Sequence, residues 1–92
     1  MEFEWDTKKA RTNAAKHRVS FAEAATVFND VLSFTYDDEE HSRTERRYAT
    51  LGMSKHGRVL VIAHTMRGDI VRIISARDAT PHEKRWYEKQ NE

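Results

Sequence analysis

Apolar residues in the first third of the chain recur with the period of a helix. Between Ser20 and Asn29, four of them are spaced i, i+3, i+4 and i+7, which predicts a helix with one buried face. They are Phe21, Ala24, Ala25 and Phe28. Ser20 and Glu23 form the Ser-x-x-Glu capping box that starts such a helix. An earlier, mostly polar helix is predicted over about Thr7–His17, with Asp6 as its N-cap.

The rest of the chain alternates as strands do. Short apolar or alternating segments, separated by turn residues, predict strands that connect as a meander. The meander consists of Val31–Tyr36, Glu45–Met53, Val59–Thr65 and Ile70–Ala76, and a separate short strand is predicted at Phe3–Trp5, before the helices. Thr80 and Pro81 then start a last helix. We therefore expect an α+β fold, a compact single domain over residues 1–92, with an antiparallel sheet of three to four strands, helices on one side and an open face.

The amino-acid composition excludes several kinds of chemistry for this chain. The 92 residues include 16 Lys+Arg, 15 Asp+Glu and no Cys, which excludes disulfides and thiol chemistry. The five His show no metal-ligand spacing, so we expect no metal and no cofactor. No run of ~18 apolar residues and no signal-peptide pattern is present, so we expect a cytoplasmic protein that does not contact a membrane.

The charges are segregated along the sequence. Asp37–Glu40 is a run of four acidic residues, which predicts a solvated loop that either faces away from a nucleic acid or contacts a basic partner segment. One basic group lies near the start of the chain, at Lys8, Lys9, Arg11, Lys16, His17 and Arg18. Others follow along the chain at Arg43, Arg46, Arg47, Lys55, Arg58, Arg67, Arg72, Arg77, Lys84 and Arg85. They form a phosphate-binding face if the fold brings several of them together.

Several short motifs occur in an order and spacing that resemble one protein family. Near the start are Phe3-Glu4-Trp5-Asp6, Lys9, Asn13, Lys16-His17 and Val19-Ser20-Phe21, with Glu23-Ala24 and Val27-Phe28. Later come Arg58, Leu60-Val61, Thr65-x-Arg67-Gly68-Asp69, Arg72 to Arg77 and Glu83 to Tyr87. Together they resemble the BrnT toxins of bacterial type II toxin–antitoxin systems, over nearly the whole chain.

The resemblance carries expectations about structure and function. It implies a fold similar to the RelE toxins and an endoribonuclease activity that arrests growth. It also implies neutralisation by a BrnA-like antitoxin with a ribbon-helix-helix domain, through which alone the toxin would contact operator DNA. A homodimer and a toxin–antitoxin heterotetramer both remain open.

Candidate catalytic residues follow from the chemistry of RNA cleavage without a metal ion. The reaction needs a base, an acid and cations around a phosphorane. Arg67, Arg72 and Arg77 lie around the last hairpin and supply planar cations that suit phosphate oxygens. His64 lies in an apolar strand, either as an acid–base group or as a hydrogen-bonded core residue. A three-residue turn would place His64 beside Arg72, whereas a two- or four-residue turn would bring its face round to Arg77.

Five other residues are candidates for RNA binding. Lys9 and Lys16 share a face of the first helix, and His17 follows them, although a solvated helix face has the same pattern. Arg46 and Tyr48 project from one side of their strand, where Tyr48 is able to stack on a base. On the last helix, Glu83 is expected mainly as a capping residue rather than as a base. Trp5 and Trp86 are expected as core or antitoxin-interface residues.

Two further hypotheses compete with the endoribonuclease. One is a non-catalytic module that binds RNA or protein without cleaving anything. The other is a DNA-binding repressor, which the sequence disfavours because no helix-turn-helix or ribbon pattern is present. Loss of cleavage with retained RNA binding in an arginine variant would distinguish catalysis from binding alone.

Overall fold

The computed structural model describes residues 1–91, so the expected domain of residues 1–92 is described except for Glu92. Five strands and three helices are connected by short turns. In chain order they are β1 (Glu2–Glu4), α1 (Thr7–His17), α2 (Phe21–Thr26), β2 (Phe34–Asp37), β3 (Tyr48–Met53), β4 (Val59–Arg67), β5 (Ile70–Asp78) and α3 (Pro81–Gln90). Single 3₁₀ turns cover Val27–Asn29 and Glu39–His41. The expected α+β class is confirmed.

The strands form one five-stranded sheet in the order β1-β5-β4-β3-β2. The pairs from β2 to β5 are antiparallel, whereas β1 lies parallel to β5, with Glu4 opposite Arg72. The prediction of three to four antiparallel strands is therefore wrong, because the sheet has five strands and is mixed. Local alternation does not show that Phe3 pairs with Val71 far along the chain. The similarity to RelE toxins stays a prediction.

Helices cover both faces of the sheet, which corrects the expectation that they lie on one side. Leu60 and Ile62 of β4 pack in a cluster with residues of α2, whereas Val61 between them packs in a second cluster with Tyr87 of α3. Neighbouring residues of a strand point to opposite faces. We call these faces the α1–α2 face and the α3 face. Because β4 is apolar at almost every position, both of its faces need cover.

All three helices begin at the N-cap residues seen in the sequence, but the capping box predicted for Ser20 and Glu23 is only half formed, because the Glu23 carboxylate binds Arg58 and Ser54 instead. The Asp6 carboxylate accepts the Lys9 N–H at 3.0 Å, and the Ser20 hydroxyl accepts the Glu23 N–H at 3.0 Å. Thr80 begins α3 with a complete capping box. These side chains satisfy backbone N–H groups that lack a partner within the helix.

Three predicted element boundaries differ from those in the structure. β2 begins at Phe34 rather than at Val31, since the Asp30 carboxylate accepts the Leu32 N–H at 3.0 Å and closes a turn there. Val31 is consequently 93% exposed. β3 begins at Tyr48 rather than at Glu45, and α2 continues beyond Thr26 only as a 3₁₀ turn.

A buried amide joins α1 to the sheet. The Asn13 side chain donates to the carbonyls of Val19 and Ala76 at 3.0 and 2.9 Å, and it accepts the Ala76 N–H at 3.1 Å. Asn13 therefore satisfies both backbone groups of Ala76 in β5, where β1 no longer pairs with it. This contact fixes α1 beside the strand that carries the candidate arginines.

Replacing Arg18 by glycine is expected to stabilise the fold by about 1 kcal/mol. Arg18 ends α1 in the left-handed region, at φ 57°, which costs an L-residue more than glycine. Equilibrium urea unfolding measures the change. Arg11→Gly in the middle of α1 is the matched control, and it should destabilise by a similar amount. A loss of stability in Arg18→Gly would contradict the backbone argument.

Candidate functional site

A groove lies on the α3 face where α3 does not cover the sheet. It has a volume of about 410 Å³. The segment between β2 and β3 forms one wall, and small residues of β3, β4 and β5 form the floor. The lining residues are Tyr36, Asp38, Glu40, His41, Arg47, Ala49, Val61, Ala63, Ile74, Ser75 and Arg77. Titratable side chains of both signs therefore meet over an open part of the sheet.

A β-bulge in β5 determines which arginines share the face of this groove. Arg77 is five positions after Arg72, and residues an odd number of positions apart in a regular strand point to opposite faces. Ile74 has no partner in β4, and the register shifts there. Ile73 and Ala76 both lie in the core of the α1–α2 face. Their neighbours Arg72 and Arg77 therefore both point to the α3 face.

Because of the bulge, His64 lies beside neither Arg72 nor Arg77, the two neighbours that the turn length was expected to decide between. The turn between β4 and β5 has two residues, because Arg67 pairs with Ile70. Without the bulge, a turn of this length would put His64 on the face of Arg77. His64 is instead opposite Ile73 on the α1–α2 face, away from both arginines. Neither of the expected pairs forms.

Arg77 is held by Glu83 at the edge of the groove. Two nitrogens of Arg77 donate to the two carboxylate oxygens of Glu83 at 2.7 and 3.0 Å. This pairing is the main reason that the pKa of Glu83 is lowered to about 2, and the Thr80 N–H adds to it. Glu83 thus serves as the expected capping residue and also fixes the orientation of a groove arginine.

Arg47 differs from the other groove arginine in having no carboxylate partner within residues 1–91. Its Nε is buried and makes no hydrogen bond. Because Arg47 lines the groove and its charge is not paired with a carboxylate there, its guanidinium is suited to bind an anionic group that enters the groove.

Arg67 and Arg72 converge on Glu4 rather than on the groove lining. Arg72 donates to the Glu4 carboxylate at 2.6 Å, and the Arg67 Nε lies 3.8 Å from the same oxygen. Two guanidinium groups share one carboxylate, so this cluster carries a net positive charge. It lies on the α3 face, on which Arg77 also lies, and it extends the basic surface along β5.

His64 is a buried residue with one satisfied nitrogen. Its Nε2 is 2.8 Å from the Thr50 hydroxyl, which in turn contacts the Thr35 hydroxyl at 2.7 Å. The ring stacks on Tyr48, and only 3% of the residue is exposed. Burial lowers the pKa of His64 to about 4, so the ring is neutral at physiological pH.

We expect the pKa of His64 to make the fold sensitive to mild acid. Its folded value of about 4 lies below the ordinary 6.5, so the unfolded chain binds the proton first. The free energy of unfolding should fall as the pH drops from about 6.5 towards 4, by an amount on the order of 2 kcal/mol. Urea unfolding at a series of pH values measures it. His64→Gln should flatten the dependence and the exposed His56→Gln should not. Equal slopes in both would contradict this.

The proposed RNA-binding residues lie at different places around the sheet. Lys9 is exposed beside Ile74, which also lines the groove, so Lys9 borders it. Lys16 and His17 lie in the last turn of α1, at its far end. Arg46 pairs with Asp37 at 3.0 Å. Tyr48 stacks on His64 on the α1–α2 face, away from the groove.

Five titratable groove residues were not among the sequence candidates: Tyr36, Asp38, Glu40, His41 and Arg47. Asp38 and His41 form a pair, with the His41 Nδ1 3.0 Å from each Asp38 oxygen, and Arg47 and Tyr36 lie in the same lining. The sequence does not mark these residues as site candidates, because the four like charges of Asp37–Glu40 indicate a solvated loop. The loop instead folds beside Arg77, so it does not lie on a face remote from the arginines. The one sequence feature that pointed to a site here is His41, a histidine directly after the acidic run.

Two other features are absent from residues 1–91. No group of three or more His, Cys, Asp or Glu side chains is arranged to hold a metal ion. No helix in the described chain has the length and apolar character needed to cross a membrane.

Comparison with known proteins identifies the class of this fold. The model of a family described as "Ribonuclease toxin, BrnT, of type II toxin-antitoxin system" matches residues 5–83. The crystal structure of the Brucella abortus ribonuclease toxin BrnT superposes with a TM-score of 0.67 at 22% sequence identity. That alignment covers 87% of this chain and 97% of the Brucella chain. A comparison with curated proteins gives no match.

The chain therefore falls within the ribonuclease toxins of type II toxin–antitoxin systems. It belongs to the BrnT family, because the family model covers most of its length. The expected family membership is confirmed, and membership implies an antitoxin partner and an RNA target.

Proposed function

We propose that this chain is a metal-independent endoribonuclease that binds RNA in the groove on the α3 face and cleaves it by attack of a 2′-hydroxyl on the adjacent phosphate. The observation that carries the proposal is Arg47, which lines the groove together with Arg77 and has no carboxylate partner within residues 1–91. Two guanidinium groups over an open sheet face match the charge of a phosphorane.

The groove also holds the other groups that this reaction requires. His41 and Glu40 are able to exchange protons, and the Tyr36 hydroxyl donates a hydrogen bond. Burial raises the pKa of Tyr36, so its hydroxyl stays protonated at neutral pH. Arg67 and Arg72, with Lys9 at the border, extend the basic surface along which an RNA backbone would lie. His64 takes no part, because it lies on the other face.

Neutralisation fits the same groove. A BrnA-like antitoxin segment that lies across it with acidic residues would pair Arg47 and bury the floor of the sheet. The toxin would then contact DNA only through the antitoxin. RNA cleavage that arrests growth would take place in the cytoplasm. The stoichiometry of the complex, homodimer or heterotetramer, stays a prediction.

The proposal is tested by expressing the chain alone and scoring growth, followed by digestion of purified RNA in EDTA. The wild type should arrest growth and cleave, and Arg47→Ala should lower cleavage at least about 100-fold. Arg85→Ala is the matched control, because Arg85 is an exposed arginine of α3 outside the groove lining. Absence of cleavage by the wild type, or equal loss in Arg85→Ala, would contradict the assignment. Cleavage that EDTA abolishes would contradict the metal independence.

A further inference from the structure

We propose that His41, oriented by Asp38, is the catalytic base that takes the proton from the attacking 2′-hydroxyl. This inference rests on the proposed function and deepens it, because it assigns the proton transfer within the same groove. The Asp38–His41 pair lines the groove together with Arg47, which has no carboxylate partner, and this arrangement carries the proposal.

The geometry fixes which nitrogen of His41 is able to act. Nδ1 lies 3.0 Å from both oxygens of Asp38, so this nitrogen carries the hydrogen and donates it to the carboxylate. The other nitrogen, Nε2, then has a free lone pair. His41 is exposed and lines the groove, so an RNA hydroxyl is able to reach Nε2. The carboxylate also stabilises the imidazolium that forms after proton transfer.

Backbone hydrogen bonds hold this pair next to Arg47. The Asp38 N–H donates to the Arg47 carbonyl at 2.9 Å. The Ser42 hydroxyl donates to the Asp38 carbonyl at 2.7 Å and accepts the Arg47 N–H at 2.9 Å. The segment of Asp38 and His41 is thus tied to the residue with the unpaired cation. A phosphate on Arg47 would place the neighbouring ribose close to His41.

The proposed step balances without an added reactant other than water. The 2′-oxygen forms a bond to phosphorus, and the bond between phosphorus and the 5′-oxygen breaks. The 2′-hydroxyl proton moves to Nε2 of His41, and the departing 5′-oxygen takes a proton from water. The imidazolium then returns its proton to the hydroxide left by that water. The products are a 2′,3′-cyclic phosphate and a 5′-hydroxyl end.

The test compares cleavage rates of variants on one RNA oligonucleotide. His41→Ala should lower the rate about 100-fold or more, in the range expected for the loss of a general base. Added imidazole should restore part of that rate, because the free ring enters the space of the missing side chain. His56→Ala is the matched control, since His56 is an exposed histidine in the turn between β3 and β4. It should cleave as the wild type does.

Two more variants separate His41 from its neighbours. Asp38→Asn should lower the rate less than His41→Ala does and should not respond to imidazole, as expected for a positioning residue. Glu40→Gln should lower the rate much less than His41→Ala does, because Glu40 lines the same groove but is not the proposed base. Loss of cleavage in Glu40→Gln with retention in His41→Ala would make Glu40 the base and overturn the proposal.

The outcomes for His41 and for the proposed function are distinct. Wild-type cleavage with an unaffected His41→Ala would overturn the role of His41 alone and leave the endoribonuclease in place. A wild type that cleaves no RNA would overturn both. A His41→Ala variant that has lost cleavage, yet is not restored by imidazole, would also overturn the role as base. Products with a cyclic phosphate and partial rescue would support it.

Discussion

Arg77→Ala is expected to lower RNA cleavage by at least about 100-fold while leaving the fold intact. The substitution removes a cation from the groove, and it also uncovers the carboxylate of Glu83, which Arg77 now pairs at 2.7 and 3.0 Å. Without Arg77, the pKa of Glu83 moves back towards the ordinary value of 4.5, so the carboxylate is still ionised at neutral pH. Both changes repel a phosphate, so the effect should exceed that of a partner-free arginine. Initial rates on a defined oligonucleotide measure it.

A double variant tests this reading of the pair. Arg77→Ala with Glu83→Gln should recover part of the lost rate, because the unpaired negative charge is gone. Arg85→Ala is the control, as an exposed arginine of α3 outside the groove lining. If the double variant is as inactive as Arg77→Ala, then Glu83 does not contribute to the loss. If Arg77→Ala cleaves as the wild type does, Arg77 has no role in phosphate binding.

Arg58→Ala should lower the free energy of unfolding by about 3 kcal/mol. The Arg58 guanidinium donates to the Glu23 carboxylate, with Nε 2.9 Å from one oxygen, and it also donates to the Arg18 carbonyl at 3.0 Å. Glu23 is 6% exposed, and its other hydrogen bond comes from Ser54. Without Arg58, the buried Glu23 carboxylate keeps only its hydrogen bond from Ser54 and loses the paired cation, which lowers the stability of the fold strongly.

The pH dependence gives this prediction a second readout. Arg58 is the main reason that the pKa of Glu23 is lowered, so the pair stabilises the wild type at neutral pH and loses that effect as the pH falls below about 4.5. The difference between wild type and Arg58→Ala in urea unfolding should therefore shrink in acid. Lys55→Ala, in the neighbouring turn, is the control and should be near neutral. A difference that does not change with pH would contradict the ion-pair explanation.

Most of the secondary structure follows from local signals in the sequence. Capping residues at Asp6, Ser20 and Thr80 begin all three helices as predicted. The apolar run of β4 and the Gly68 turn mark the central hairpin, because Gly68 adopts a positive φ of 60°. Signals of this kind act within a few residues, so the sequence reveals them without the fold.

The topology depends on contacts between distant residues, and there the sequence analysis was wrong. β1 pairs with β5 through Phe3 and Val71, a parallel contact that no local alternation indicates. The bulge at Ile74 is equally hard to predict, since Ile73 and Ile74 are adjacent apolar residues and the sequence does not mark which of them lacks a partner in β4. Yet that one residue decides that Arg72 and Arg77 share a face and that His64 does not join them.

The candidate site was predicted in part. Arg77 lies in the groove as expected of a site arginine, although its role stays a prediction. Arg47, His41 and Asp38 were not singled out, because their proximity results from the way the segment after β2 folds back onto the Arg47 backbone. Charge patterning shows the sign of a segment but not the surface on which it lies.

Mapping where RNA binds tests the central claim most directly. A 2′-O-methyl oligoribonucleotide keeps the phosphates but lacks the attacking hydroxyl, so it should bind the wild type without being cleaved. Backbone amide shifts followed by NMR should change at Ser75, Arg77, Ala49 and His41 and remain unchanged at Met66 and Thr35 on the other side of the sheet. Changes that cluster at Lys16 and His17, or around Tyr48 and Met66, would contradict the assignment of the groove as the RNA site.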